Sequence, residues 1–220
     1  MAAEAIALLG GSYDPVHRGH IALAEELLQK LPVQELRLLP AACSPLKSTA
    51  TAFEHRRRML ELACAGHPGL VVDDREGRRP PPSYSIDTLQ ELRREHAGPL
   101  ILVLGEDTLP DLERWKNMRG LLDYAHLLII KRPDPLRRPL PAGTQAWLEA
   151  HRAELPSLSL CTHGHVAWLD TPYLAIASSA IRQALARGDK QAMEYLAPAV
   201  AAYIMQHRLY LSENDTTHEH

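Results

Sequence analysis

His17 and His20 close the stretch Gly10-Gly11-Ser12-Tyr13-Asp14-Pro15-Val16-His17-Arg18-Gly19-His20, and a second polar group, Ser178, Ser179 and Arg182, stands far along the chain. Imidazole, hydroxyl and guanidinium groups are hydrogen-bond donors suited to anionic oxygens. Ile21, Ala24, Leu27, Leu28 and Leu31 recur at helical spacing, so a helix begins near His20. Its first N–H groups lack internal partners and its dipole is positive at that end, which makes the start of this helix an anion site. Gly10-Gly11 lets backbone approach a ligand without a side-chain clash, Ser12 adds a hydroxyl, and Asp14-Pro15 is a turn. Ser178, Ser179 and Arg182 furnish a second helix start, with the hydroxyls expected at its cap. Two such starts would hold a polyanion at both ends, and a nucleoside triphosphate fits. No Gly-Lys-Ser/Thr follows the glycines, and the spaced three-glycine dinucleotide fingerprint is missing as well. A zinc site built on His17 and His20 needs a third ligand, for which His163 and His165 are candidates.

These groups need a scaffold. Apolar runs at 5–9, 35–39, 71–72, 100–104, 125–131 and 165–169 read as strands. Helical patterns run from about 19, over 53–65, from a cap at Ser83 or Ser85 to about 96, briefly before Trp115, over 145–155, and in two or three closing helices after 178. The alternation predicts an α/β fold, a Rossmann-like doubly wound parallel sheet with a small C-terminal helical extension. One domain over 1–211, its C-terminal helical part at about 179–211, is expected to precede a disordered tail at 212–220. Gly105-Glu106-Asp107 ends a strand where open α/β sheets bind ligands.

With 24 Lys plus Arg against 27 Asp plus Glu in 220 residues, the net charge of −3 gives no bulk electrostatic case for nucleic acid. Arg56-Arg57-Arg58 reads as a solvated helix face. Cys43, Cys64 and Cys161 form no CxxC pair, which predicts reduced thiols and a cytoplasmic protein. No apolar run is long enough to span a bilayer, and no membrane partner is expected. The oligomeric state stays open, a homodimer included.

The stretch from Gly10 to His20 resembles the Gly-Gly-Thr-Phe-Asp-Pro-x-His-x-Gly-His signature of the cytidylyl- and adenylyltransferase superfamily, and Ile176-Ala177-Ser178-Ser179-Ala180-Ile181-Arg182 resembles its second signature, Ile-Ser-Ser-Thr-x-Ile-Arg. Pro82-Ser83-Tyr84-Ser85 with Thr88-Leu89, Gly105-x-Asp107 with Trp115, and Arg132-Pro133 are similar to the bacterial nicotinate-nucleotide adenylyltransferases, a likeness running from about Ile6 to Tyr210. The resemblance implies adenylyl transfer from ATP to nicotinate mononucleotide, giving deamido-NAD and pyrophosphate in NAD biosynthesis. It implies catalytic roles for His17, His20 and Arg182, and contacts to ATP from Gly10, Gly11, Ser12, Gly19, Lys47, Arg132, Ser178 and Ser179 as well. For nicotinate mononucleotide it implies Ser12, Tyr13, Lys47, Asp107, the aromatic face of Trp115, and the backbone N–H groups of Tyr84 and Ser85. Mg²⁺ would enter with ATP, held mainly by substrate phosphates and not by protein ligands. Leu46, Lys116, Ala177 and Ser85 depart from the family pattern, Lys116 standing where an aromatic residue often follows the tryptophan. Phosphopantetheine adenylyltransferases share both signatures in a shorter chain without the Pro-Ser-Tyr-Ser segment. A non-catalytic nucleotide-binding regulator could tolerate loss of the histidines, which this chain keeps.

Overall fold

A computed structural model of the chain describes residues 4–42, 51–131, 138–171 and 176–211. Six strands, β1 (Ile6–Gly11), β2 (Glu35–Pro40), β3 (Leu70–Val72), β4 (Leu100–Gly105), β5 (His126–Lys131) and β6 (Val166–Asp170), form one sheet in the order β3-β2-β1-β4-β5-β6. Every neighbouring pair is parallel. The chain crosses outward from β1 to β3, then returns to the middle for β4, so β1 and β4 flank a topological switch point. Ligands of doubly wound sheets bind beyond the carboxyl ends of such a pair. Gly10-Gly11 at the end of β1 and Gly105 at the end of β4 border that crevice.

The helices are α1 (Arg18–Lys30), α2 (Phe53–Cys64), α3 (Ser85–Glu95), α4 (Ala142–Ala150), α5 (Ser178–Ala186) and α6 (Pro198–Gln206). Strand alternation divides the core between the two sheet faces. Ala7, Leu9 and Val103 pack with Ile21 and Leu27 of α1, Met59 and Leu60 of α2, Ile181 of α5 and Val200 of α6. Leu8, Leu102 and Leu104 pack with Ile86, Leu89 and Leu92 of α3 and Leu148 of α4. The C-terminal helices thus share the core of the sheet, and α6 lies against α2.

Three local expectations change. The helix expected over 145–155 is α4, beginning just after Pro141, and Leu155-Pro156 starts a separate 3-10 turn, Leu155–Ser159. Neither Ser83 nor Ser85 caps α3, whose N-cap is Tyr84; Ser83 donates instead to the Glu76 carbonyl at 3.4 Å. Ala177, with no hydroxyl, is the N-cap of α5, so Ser178 and Ser179 are its first helical residues. The Ser178 hydroxyl donates to the Pro15 carbonyl at 2.9 Å, tying the start of α5 to the loop before α1 where a cap was expected.

His126 opens β5 at the end of the sheet away from the crevice and is fully buried. Its Nδ1 accepts from the His165 N–H at 3.1 Å, which leaves Nε2–H to donate to the Cys161 carbonyl at 2.9 Å. Its ring lies 5.4 Å from that of His165. His165 and its neighbour His163 therefore sit far from the glycine turn. Among the described residues no group of three or more His, Cys, Asp or Glu could hold a metal ion, which removes their zinc reading with His17 and His20.

Burial pushes His126 down to about 4 from an ordinary 6.5. The unfolded chain binds a proton there first, so stability is full above pH 6.5 and is lost as pH falls toward 4. The shift corresponds to a loss on the order of 3 kcal/mol. Urea denaturation between pH 7.5 and pH 4.5 is expected to show this fall. A His126→Asn variant, which keeps an acceptor for the His165 N–H, should show a smaller one; an equal slope would place the effect elsewhere.

Candidate active site

β1 ends in Gly10-Gly11, and the chain then doubles under itself. Tyr13 adopts a left-handed backbone at φ 48°, its side chain is buried, and its hydroxyl donates to the Leu9 carbonyl at 2.6 Å. A Cβ on Gly11 would come within 2.9 Å of the Tyr13 ring, so glycine is required there by the folded-under tyrosine. A Cβ on Gly10 would meet nothing within 4 Å, and this glycine opens on the crevice. The Tyr13 side chain is thus a floor to the turn and does not line the pocket expected to take the mononucleotide.

His17 is the N-cap of α1, with Arg18, Gly19 and His20 forming its first turn. The two imidazoles stack, ring centroids 3.7 Å apart, and the Tyr13 ring meets His20 edge-on at 5.0 Å. His20 Nδ1 accepts the His17 backbone N–H at 3.2 Å, so a neutral His20 carries its proton on Nε2. Burial pushes the His17 ring down to about 4, which keeps it uncharged at neutral pH. His17 Nδ1 faces the His20 N–H in a capping-box arrangement but makes no well-formed hydrogen bond.

The two expected halves of the clamp touch. Arg182 donates through Nη1 to the Asp14 carbonyl at 2.5 Å and lies 3.9 Å from the Asp14 carboxylate, with 30% of its side chain exposed. Ser178 holds the Pro15 carbonyl, as described above, while Ser179 is exposed. The start of α5 is therefore fixed to the loop that delivers His17. Lys47 and Arg132 lie outside the described residues, as does Leu46.

On the other side of the turn, a cavity of about 310 Å³ is bordered by Gly10, Gly11, Ser12, Tyr84, Ser85, Asp107 and Trp115. It combines the open N-terminus of α3, an indole that is half-buried against the core, and a carboxylate just beyond β4. Trp115 ends the 3-10 helix Glu106–Arg114, its N–H bonded to the Leu112 carbonyl at 3.0 Å. An aromatic face beside a helix N-terminus suits a flat ring bearing an anionic substituent.

The model of cytidylyltransferase-like proteins matches residues 8–184. A probable nicotinate-nucleotide adenylyltransferase of Laribacter hongkongensis is 42% identical over 214 residues, 96% of each chain. One from Yersinia enterocolitica is 39% identical over 208 residues, 93% of this chain and 94% of the relative. The chain belongs to the nicotinate-nucleotide adenylyltransferase family. The fold agrees: the Plasmodium falciparum nicotinic acid mononucleotide adenylyltransferase complexed with NaAD superposes with a TM-score of 0.71 at 20% identity, over 94% of this chain and 97% of that one.

Beneath the site of this family member lies a buried polar layer that the sequence reading overlooked. Arg56, expected on a solvated face, is 1% exposed. Its guanidinium donates to three carbonyls: Thr51 at 3.0 Å, Ser12 at 2.8 Å and Ala42 at 3.4 Å. Arg57 and Arg58 do face outward, paired with Glu54 and Glu61. The Tyr210 hydroxyl donates to the Asp14 carboxylate at 2.6 Å, bringing the end of the described chain to the first signature. Glu76, nearly buried on the cavity wall, accepts from the Ala42 N–H and from the Thr88 hydroxyl at 3.3 Å; burial raises its carboxyl above the ordinary range. The helical spacing of Arg56 with Met59, Leu60 and Ala63 was the available signal, since it places Arg56 on the apolar stripe of α2. Tyr210 and Glu76 carried none.

Proposed function

We propose that this chain transfers the adenylyl group of ATP to nicotinate mononucleotide, forming deamido-NAD and releasing pyrophosphate. One observation carries the reading: the Gly10-Gly11-Ser12 turn borders the aromatic pocket and, through the Tyr13 ring packed on Gly11, adjoins the stacked histidines. A triphosphate on the histidine side and a pyridine nucleotide on the Trp115 side would bring phosphate and α-phosphorus together there. An oxygen of the mononucleotide phosphate forms the new bond to Pα, and the bond from Pα to the bridging oxygen of Pβ breaks with its electrons leaving on pyrophosphate.

A phosphate monoester, with a second pKa near ~6, is already largely ionised at neutral pH and needs no base. Catalysis is then positioning and stabilisation of developing charge. His17, uncharged at neutral pH, fits that role better than proton transfer. His20 Nε2–H and the first N–H groups of α1 donate to the phosphates, and Arg182 with Ser179 and the backbone N–H of Ser178 braces the far end, the Ser178 hydroxyl proton being held by the Pro15 carbonyl. By family likeness Lys47 and Arg132 contribute further contacts to ATP. Asp107 takes the ribose side and Ser12 the phosphate side of the mononucleotide. Mg²⁺ enters as the counter-ion of ATP. We place the chain in the cytoplasm on the spacing of its cysteines, which form no CxxC pair; among the described residues no helix is long and apolar enough to cross a membrane.

The test is a chromatographic product assay with ATP, Mg²⁺ and, in turn, nicotinate mononucleotide, nicotinamide mononucleotide and phosphopantetheine. Deamido-NAD from the first is expected. Turnover of phosphopantetheine alone would move the chain to that activity, and no turnover with any acceptor would favour a binding regulator.

A further inference from the structure

Lys116 borders the cavity beside Trp115, Tyr84 and Ser85. Its ammonium bonds both oxygens of Asp87, at 2.9 and 3.1 Å, and lies 4.7 Å from the centre of the Tyr84 ring. Asp87 is the acid in the first turn of α3, and Tyr84 is the N-cap. An acid at this position stabilises the helix through the dipole, but it opposes any second anion approaching the same N–H groups.

The other charged residues bordering the cavity sharpen the problem. Glu76, Asp107 and Asp111 are acids, and Arg114 is engaged with Asp111 at 3.4 Å. Nicotinate and nicotinamide rings have nearly the same shape and differ in the charge of one substituent. Backbone N–H groups bond a carboxylate oxygen and an amide oxygen alike, so they discriminate only through the field around them. With Asp87 unmasked, that field would turn against the acid. With Lys116 across Asp87, the start of α3 presents its dipole and an ammonium group.

We propose that Lys116 is a specificity-determining residue that favours the pyridine carboxylate over the carboxamide by cancelling the charge of Asp87 at the start of α3. The inference rests on the adenylyltransferase reading above. The neighbouring indole can stack on either ring and does not choose between them.

The experiment compares the ratio of kcat/KM for nicotinate mononucleotide to that for nicotinamide mononucleotide in the wild type, Lys116→Met, Lys116→Arg and the double variant Lys116→Met with Asp87→Asn. Removing one charge from the rim of the cavity is expected to lower the ratio by about tenfold in Lys116→Met at low salt. Lys116→Arg should keep the ratio, and Asp87→Asn should restore it in the Met background, because the charge that needed masking is gone. An equal loss on both substrates, with the ratio unchanged, would mean that Lys116 only holds the Trp115 segment in place and would overturn the proposal. Failure of the double variant to recover the ratio would overturn the role of Asp87. A wild type that turns over neither pyridine nucleotide is a different result, since it refutes the parent reading before any variant is compared.

Discussion

His20→Ala is expected to lower turnover with ATP and nicotinate mononucleotide by about 10²- to 10³-fold, the scale lost with one donor aimed at developing charge. The tautomer is the basis of this expectation. His20 Nδ1 is committed to the His17 N–H, so the only ring group it can offer a phosphate is Nε2–H. Its orientation is held by two rings, His17 stacked on it and Tyr13 in an edge-to-face contact. A donor so fixed costs little reorganisation when charge moves from Pα toward the departing pyrophosphate. The loss should fall on kcat more than on KM, because the contact strengthens in the transition state. Single-turnover measurements with saturating substrates check this. Turnover within about threefold of wild type, far below the loss expected of a transition-state donor, would remove His20 from the phosphate site. Above pH 6, the activity of the wild type should follow no titration of His17, whose ring is uncharged over that whole range.

The architecture was legible because strands and helices of this fold alternate and bury themselves by period. Runs such as Leu127-Leu128-Ile129-Ile130 can be little else than a strand covered on both faces, and β5 contains them. The two signatures were legible for a related reason: each joins a strand or turn to a helix start within a few residues, so local sequence carries the whole device. Where side-chain roles depended on distant partners, local reading failed. Ser178 looked like a cap because hydroxyls cap helices, but Pro15, remote in sequence, offers its carbonyl at 2.9 Å. Family resemblance put Tyr13 among the mononucleotide contacts, yet its ring turns back under Gly11. Tyr210 meets Asp14 across nearly the length of the described chain, and no spacing rule reports such a contact.

Arg56→Met is expected to destabilise the fold by about 3–5 kcal/mol, the range for removing one member of a buried charged network. The side chains are similar in length, so the change chiefly removes the hydrogen bonds and the charge. Three carbonyls, of Ser12, Ala42 and Thr51, lose their guanidinium donors in a place with little access to water. The positive charge that faces Asp14 and Glu76 is lost with them. Arg56→Lys should recover only part of the stability, since a single ammonium cannot reach three carbonyls held apart by the planar fork. Catalysis should suffer beyond the loss of folded protein. Ala42 is gripped from both sides, its carbonyl by Arg56 and its N–H by Glu76, while Ser12 is anchored through its own carbonyl. Ser12 and Glu76 both border the cavity proposed to take the pyridine nucleotide, so loosening this layer moves its wall. The measurement is urea denaturation of wild type, Arg56→Met and Arg56→Lys, paired with KM for nicotinate mononucleotide at a temperature where each remains folded. A rise in KM that tracks the order wild type, lysine, methionine is the expected result. A stability loss below about 1 kcal/mol, the range of surface charge pairs, would return Arg56 to the solvated face suggested by its neighbours Arg57 and Arg58.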